Sequence, residues 1–296
     1  MDVAGRNFLT IRARCSREGR LEGAALAAVL AAVLGLGACA APAPVPEAVS
    51  NSAARPTIVS LNPCLDAILV EIAPQEQIVA LSHYSRDAAS SSLPPEARGR
   101  FAFTGGTAEE VLAAAPDLVL ASTFMDPATR AAFERLGVRV ATFGAPATVG
   151  DSIAQVREVA RITGNEAAGE RLARAMAEAA RPQEGLRPIS TLLWQPGQIV
   201  PGDATLIADL LRRQGMANFA AARGLGQSDY VSLESVLAAP PELLLVAGDS
   251  AGQSHPLLAE LAATRVETFS GNLVNCGGPV VIAASARLRA IRAGLE

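Results

Sequence analysis

One twelve-residue pattern occurs twice, which constrains the chain to two related halves. Residues Glu109–Leu120 read EEVLAAAPDLVL and residues Glu234–Leu245 read ESVLAAPPELLL, eight of twelve positions being identical at a constant offset of 125 residues. Each copy begins after a small hydroxylated residue, Thr107 or Ser232, of the kind that caps a helix N-terminus. In the first copy Glu110 is placed to complete a capping box. A short Ala/Leu/Val helix comes next, Pro stops it, and an apolar run (Leu118–Ala121, Leu243–Ala247) has the length of a buried strand. The simplest reading is two similar α/β lobes, one copy in each. The repeat also puts Glu109 and Glu234 at the second residue of each helix. The helix dipole favours a carboxylate there; two matched lobes could also present one Glu each to a partner.

The chain has 296 residues, enough for two domains, and half of it is apolar. It contains no Lys, so a phosphate-loop Lys and Schiff-base chemistry are excluded; with a net charge of −4 it offers no nucleic-acid surface. Arg6, Arg12, Arg14, Arg17 and Arg20 precede an apolar stretch, Ala24–Ala38, that is short for a membrane span. Residues 1–38 therefore read as an export signal. Leu36-Gly37-Ala38-Cys39 has the form of a lipobox, with Cys39 the residue to be lipidated, and ordinary cleavage near Ala38–Ala41 is the alternative. The true translation start could lie downstream of Met1. Residues 39–54, rich in Pro, Ala and Ser, read as a flexible tether.

Residues 55–164 read as strand, helix, strand, helix, strand, a mainly parallel α/β lobe. Ligands of such sheets bind beyond the carboxyl ends of the strands. Those ends are Asn62–Cys64, His83–Arg86, Ser122–Met125 and Phe143–Pro146. Ser152–Ile162 and Glu166–Ala180 read as helices around Thr163-Gly164-Asn165, and the second, within residues 165–187, reads as the connection between lobes. Residues 188–296 form the second lobe. It opens with a strand ending at Gln195-Pro196-Gly197, has a loop over Ala217–Asp229, and ends with a helix after the turn Asn275–Pro279.

Ser60–Cys64 (SLNPC), Ile78–Ser85 (IVALSHYS), Gly105–Ala121, the Glu166–Ala180 helix, Leu192–Gly197 (LLWQPG), Ser232–Gly248 and Cys276–Pro279 (CGGP) come in an order that resembles the periplasmic binding proteins for metal chelates. The resemblance spans residues 55–296. It implies a class III fold: two Rossmann-like α/β lobes with central, mainly parallel sheets, joined by a single long helix that limits closure. It further implies a monomeric, non-enzymatic receptor in the periplasm, without a cofactor of its own. Such a receptor captures cobalamin, a ferric siderophore or haem in the inter-lobe cleft and hands it to the permease of an ABC importer. The positions that match the family's permease-docking carboxylates are Glu109 and Glu234.

On this resemblance Tyr84 contacts ligand, with Trp194 and the Asn275–Gly278 turn on the opposite wall. Packing is the other reading of Trp194, the only Trp. Gly105 and Gly106 permit close approach of backbone to ligand. Asn62 and Gln195 are amides at equivalent strand ends, either ligand contacts or local caps. Cys64, Cys276 and His83 could ligate the metal of a chelate; the two Cys could instead pair or stay free. Arg86, with Arg98 and Arg100, could meet an anionic chelate. Few aromatics are available for a cobalamin wall, so an iron chelate or a related tetrapyrrole is expected. Two alternatives stand beside the chelate receptor. A zinc or manganese receptor lacks its usual ligand set, since there are only two His. A thiol redox protein would use Cys64 and Cys276, yet the chain has no Cys-x-x-Cys and no hydrolase or phosphate-loop motif.

Overall fold

The computed structural model describes residues 55–88, 91–248 and 253–295. The expected signal, the tether and Cys39 lie outside them. Among these residues the first lobe contains β1 (Ile58–Ser60), α1 (Pro63–Ile72), β2 (Ile78–Ser82), α2 (Pro95–Arg98), β3 (Phe103–Thr104), α3 (Ala108–Ala114), β4 (Leu118–Ser122), α4 (Pro127–Arg135) and β5 (Val140–Phe143). Two helices come after it, α5 (Val149–Thr163) and α6 (Glu166–Ala179). The second lobe holds β6 (Ile189–Trp194), β7 (Ile199–Val200), α7 (Leu206–Arg213), β8 (Met216–Asn218), β9 (Asp229–Tyr230), α8 (Leu233–Ala238), β10 (Leu243–Val246), β11 (Arg265–Thr268) and α9 (Val280–Ala293).

Both main sheets are parallel throughout. The first runs β3-β2-β1-β4-β5 and the second β11-β10-β6-β8. Strand for strand, β2-β1-β4-β5 and β8-β6-β10-β11 are the same order, so the repeat seen in sequence extends to the topology. Among the described residues the second lobe has no counterpart of β3; it carries instead a small antiparallel ribbon of β7 and β9. The expected loop over Ala217–Asp229 is shorter than it reads, because β8 begins at Met216 and β9 ends it. Strands of two or three residues leave too little alternation to be visible.

Alternation on the strands divides the core into layers. On β4, Leu118 and Leu120 face one way and Val119 the other; on β10, Leu243 and Leu245 face one way and Leu244 and Val246 the other. The Leu118/Leu120 and Leu243/Leu245 faces join one continuous core with Leu65, Ile68 and Leu69 of α1, Val156 and Val159 of α5, Met176 of α6, Leu210 of α7 and Leu288 of α9. The outer faces have separate cores, Val111 of α3 and Phe133 of α4 in one lobe and Val236 of α8 in the other. The two repeat helices thus cover corresponding outer faces, each sinking a single Val.

Their starts are capped as expected: Thr107 Oγ1 accepts the Glu110 N–H (3.3 Å) and Ser232 Oγ accepts the Ser235 N–H (3.2 Å). The Glu110 half of the capping box does not form. Gly106, at φ +84°, folds the incoming turn back, so the Glu110 carboxylate accepts from the Gly105 N–H (2.6 Å) and the Thr104 hydroxyl (2.7 Å) instead. Between the lobes, α5 begins beside α7, where Asp209 Oδ2 accepts the Val149 N–H (3.0 Å), and ends with its Thr163 carbonyl accepting from Gln77 of the first lobe (2.8 Å). Gly164 caps it at φ +72°, and α6 returns to the second lobe, where Arg213 donates to the Ala180 carbonyl. The two helices therefore run side by side in opposite directions, α6 packed on α5.

Candidate functional site

Two hollows open at the carboxyl ends of the strands. The first, of about 540 Å³, belongs to the first lobe and is built from the carboxyl ends of β1, β2, β3 and β4 and what comes after them: Asn62 and Pro63, His83 and Tyr84, Gly105 and Gly106, and Ser122 with Phe124, Met125 and Asp126. The second, of about 210 Å³, is lined by Ala145 and Pro146 after β5, Gln195 after β6, Thr205 at the start of α7, Gln227 and Ser228, and Asn275 to Gly277. The larger one lies within the usual range for small-molecule pockets.

Each position arises from local structure. Asn62 is the N-cap of α1, its Oδ1 accepting the Cys64 N–H (2.9 Å). The capping role is therefore real, and Asn62 also reaches the hollow. Gln195 stands as far past β10's partner residue Thr191 as Asn62 stands past β4's partner Ile58, so the two amides are equivalent by register. Gln195 has no capping bond and lines the second hollow. His83 and Tyr84 ride on a 3-10 turn, Ser85 buried beneath them and both rings exposed, with centroids 4.0 Å apart.

That turn is held by Asp66 of α1. Its carboxylate is fully buried, accepting the Ser82 N–H (3.0 Å) and the Ser85 hydroxyl (2.5 Å) through one oxygen. Burial pushes its pKa up to about 7, against the hydrogen bonds from Ser60, Ser85 and Ser82 that pull it down. By contrast, the Thr129 N–H keeps Asp126, at the rim, below the ordinary carboxylate range, and the Thr104 hydroxyl and Gly105 N–H do the same for Glu110.

Cys64 and Cys276 form a disulfide across 212 residues, with Cα atoms 5.1 Å apart. The bond joins the Asn62–Pro63 turn of one hollow to the Asn275–Gly277 turn of the other. Of the readings left open for the two Cys, pairing is the one that holds; metal ligation by either thiolate, the reading it displaces, is a first correction. Trp194 is a second correction. It is fully buried, its indole N–H donating to the Val231 carbonyl (2.9 Å), in the outer core with Leu192. Position 194 shares the outward face of β6 with position 192, and only the residue after it lines the hollow.

Arg86 is a third correction: it lines neither hollow and its guanidinium lies over the Phe103 ring, 5.2 Å from the centroid. Arg98 donates to the Leu93 carbonyl and Arg100 to Gln75, at the opposite end of β2. No Arg lines either hollow among the described residues. Among those residues, too, no three His, Cys, Asp or Glu gather as a metal site. His255 caps a short 3-10 turn through Nδ1, away from both hollows.

Sequence reasoning named the Ser122–Met125 strand end without singling out Phe124, which is 87 % exposed at the rim of the larger hollow. A large apolar side chain directly after a buried strand was the available signal. Gln227 and Ser228 carried none, because the β7–β9 ribbon that brings them to the second hollow is too short to read.

Residues 58–267 match the family model described as periplasmic binding protein. No curated protein matches the chain. Among solved structures, the chain is similar to the apo periplasmic heme-binding protein RhuT from Roseiflexus sp. RS-1, at 22 % identity over 80 % of this chain and 99 % of that one, with a TM-score of 0.63. A possible iron-binding periplasmic solute-binding protein from Staphylococcus epidermidis gives 18 % identity over 81 % and 99 %, TM-score 0.65. The vitamin B12 binding protein BtuF of Vibrio cholerae gives 18 % over 80 % and 96 %, TM-score 0.62. At these identities the likeness is one of fold.

Proposed function

The chain belongs to the periplasmic binding protein family, and from that premise we propose that it is the substrate receptor of an ABC importer for an uncharged metal chelate with amide or hydroxyl edges. The family is one of solute-binding proteins rather than enzymes. The observation that carries the ligand class is the lining of the two hollows. Its polar groups are the amides of Asn62, Gln195, Gln227 and Asn275, the hydroxyls of Ser82, Tyr84, Thr104, Ser122, Thr129, Thr205 and Ser228 and the imidazole of His83; its carboxylate is that of Asp126. An anionic siderophore or the propionates of haem would meet a carboxylate and no guanidinium, an uncompensated desolvation. A neutral corrinoid or a neutral hydroxamate chelate would exchange water for amide partners and stack on Tyr84 and Phe124. The imidazole of His83 is placed to approach the metal of such a cargo.

The receptor is exported, held to the membrane through lipidated Cys39 and the 39–54 tether, and delivers its cargo through Glu109 and Glu234. Support for the last step comes from their exposure on corresponding helices of the two lobes. Calorimetric titration of the purified protein with cyanocobalamin, ferrichrome, haemin and ferric enterobactin tests the reading. Saturable binding of one of the first two, and none of the last, is expected; tight binding of ferric enterobactin or haemin alone would remove the ligand class.

A further inference from the structure

We propose that the Cys64–Cys276 disulfide is a strut that sets the spacing between the two binding walls and thereby the affinity for cargo; this rests on the receptor reading above. Cys64 comes directly after Asn62 and Pro63, which line the larger hollow, and Cys276 itself lines the smaller one. The bond therefore ties one wall to the other rather than fastening a remote surface. It is also the only disulfide among the described residues.

The turn that carries Cys276 is pressed onto elements from elsewhere in the chain with no slack. Ser152 Oγ of α5 accepts the Gly278 N–H (2.8 Å). A Cβ at Gly277 would stand 2.6 Å from that same Oγ and 2.7 Å from Pro146 Cγ, and one at Gly278, which sits at φ +69°, would stand 2.6 Å from Ile68 of α1. Ser92 donates to the Asn272 carbonyl (2.7 Å), securing the approach to the turn. These contacts orient the turn, but each is individually modest in net energy. The disulfide makes the arrangement permanent, so that the amide of Asn62 and the Asn275–Gly277 turn are presented to a ligand as one preformed surface. Preorganisation of this kind lowers the ordering penalty of binding, and two walls held at fixed distance act on one ligand at high effective concentration.

The test compares wild type with the Cys64→Ser/Cys276→Ser double variant in two measurements. In the first, hydrogen exchange of the ligand-free proteins is monitored at residues 64–68 and 276–281. Exchange there is expected to rise at least about tenfold in the variant while β4 and β10 are unchanged. In the second, cyanocobalamin, or ferrichrome where that is the chelate bound, is titrated. Its Kd is expected to weaken about tenfold or more, chiefly through faster dissociation. A lowered melting temperature with unchanged exchange in the two turns, or with unchanged Kd, would show that the bond serves the fold alone and overturn the proposal. If wild type binds no chelate, the receptor reading fails, and the exchange measurement still decides the strut. Should the variant not fold, dithiothreitol acting on folded wild type replaces it: the S–S bond is reduced to two thiols as the reagent closes to its cyclic disulfide, with the same expectations.

Discussion

At the scale of single residues, Asp66 links stability to the turn that carries His83 and Tyr84. Its folded pKa, about 7, lies above the ordinary 3.8. The native protein thus holds this proton more tightly than the unfolded chain does. Its contribution is fully present below about pH 4 and is lost as pH rises through about 7, with a slope of up to about 1.4 kcal/mol per pH unit in between. Asp66→Asn keeps an oxygen to accept from Ser82 and Ser85 and has no charge to bury. Urea unfolding at several pH values should therefore show wild type losing stability relative to the variant between pH 4 and 7; parallel curves would mean that Asp66 does not titrate there. Gly277 gives a second expectation. Gly277→Ala places a methyl against Ser152 Oγ and Pro146, and overpacking of that kind costs about 1–3 kcal/mol. Adding Ser152→Ala should recover part of it, and a strictly additive double variant would argue that the two residues do not collide. What could be read from sequence at this scale was position along a strand. Asn62, His83, Tyr84 and Gln195 were named because they come just after strands, and they line the hollows there; Gly105 was named only through the resemblance. Face was not readable: Trp194 ends a strand as visibly as Gln195 succeeds it, and only the pairing register turns it outward. Nor was the pairing of Cys64 with Cys276, which depends on a contact across 212 residues.

At the scale of elements, α3 and α8 are the same device used twice. Each is capped by a hydroxyl, sinks one Val into an outer core and leaves the Glu of its second position in solvent. Glu234 is held below the ordinary range by its own backbone N–H first and then by the Ser232 hydroxyl, so it is charged at neutral pH. If these carboxylates are the docking points, then Glu109→Ala and Glu234→Ala leave chelate affinity unchanged within about twofold. Each alone weakens capture by the permease, and both together abolish transport into reconstituted vesicles. Transport at the wild-type rate by the double variant would move the docking surface elsewhere. The repeat made these helices legible, since a local pattern of cap, apolar run and Pro needs no tertiary information. The ribbon of β7 and β9 was not legible for the opposite reason. Its two-residue strands pair only Ile199 with Tyr230 and Val200 with Asp229, and beside them Gly202 lies against the backbone of Gly226, where a Cβ would come within 2.4 Å; no local pattern shows such a contact.

At the scale of the molecule, the two lobes are not independent folding units. Leu65 and Ile68 from the first lobe and Leu210 and Leu288 from the second sit in one continuous core with α5 and α6. Leu69→Ala and Leu288→Ala should each cost about 2–5 kcal/mol and shift a single cooperative transition, whichever lobe holds the substitution. Two resolved transitions by calorimetry would refute a common core. The sequence order of lobe, helix pair and lobe was readable, but not this fusion, because unbroken apolar strands show that both faces are buried without showing what buries them. The sealed position of Trp194 has a practical consequence in optics. With one indole in the chain, shut behind β6 and bonded to a carbonyl, emission should be blue and inaccessible to aqueous quenchers. It should stay so when a colourless ligand enters, and redden only when the second lobe opens. The protein carries a built-in gauge of its own integrity, and loading has to be read from the tyrosine at the rim or from the colour of the cargo.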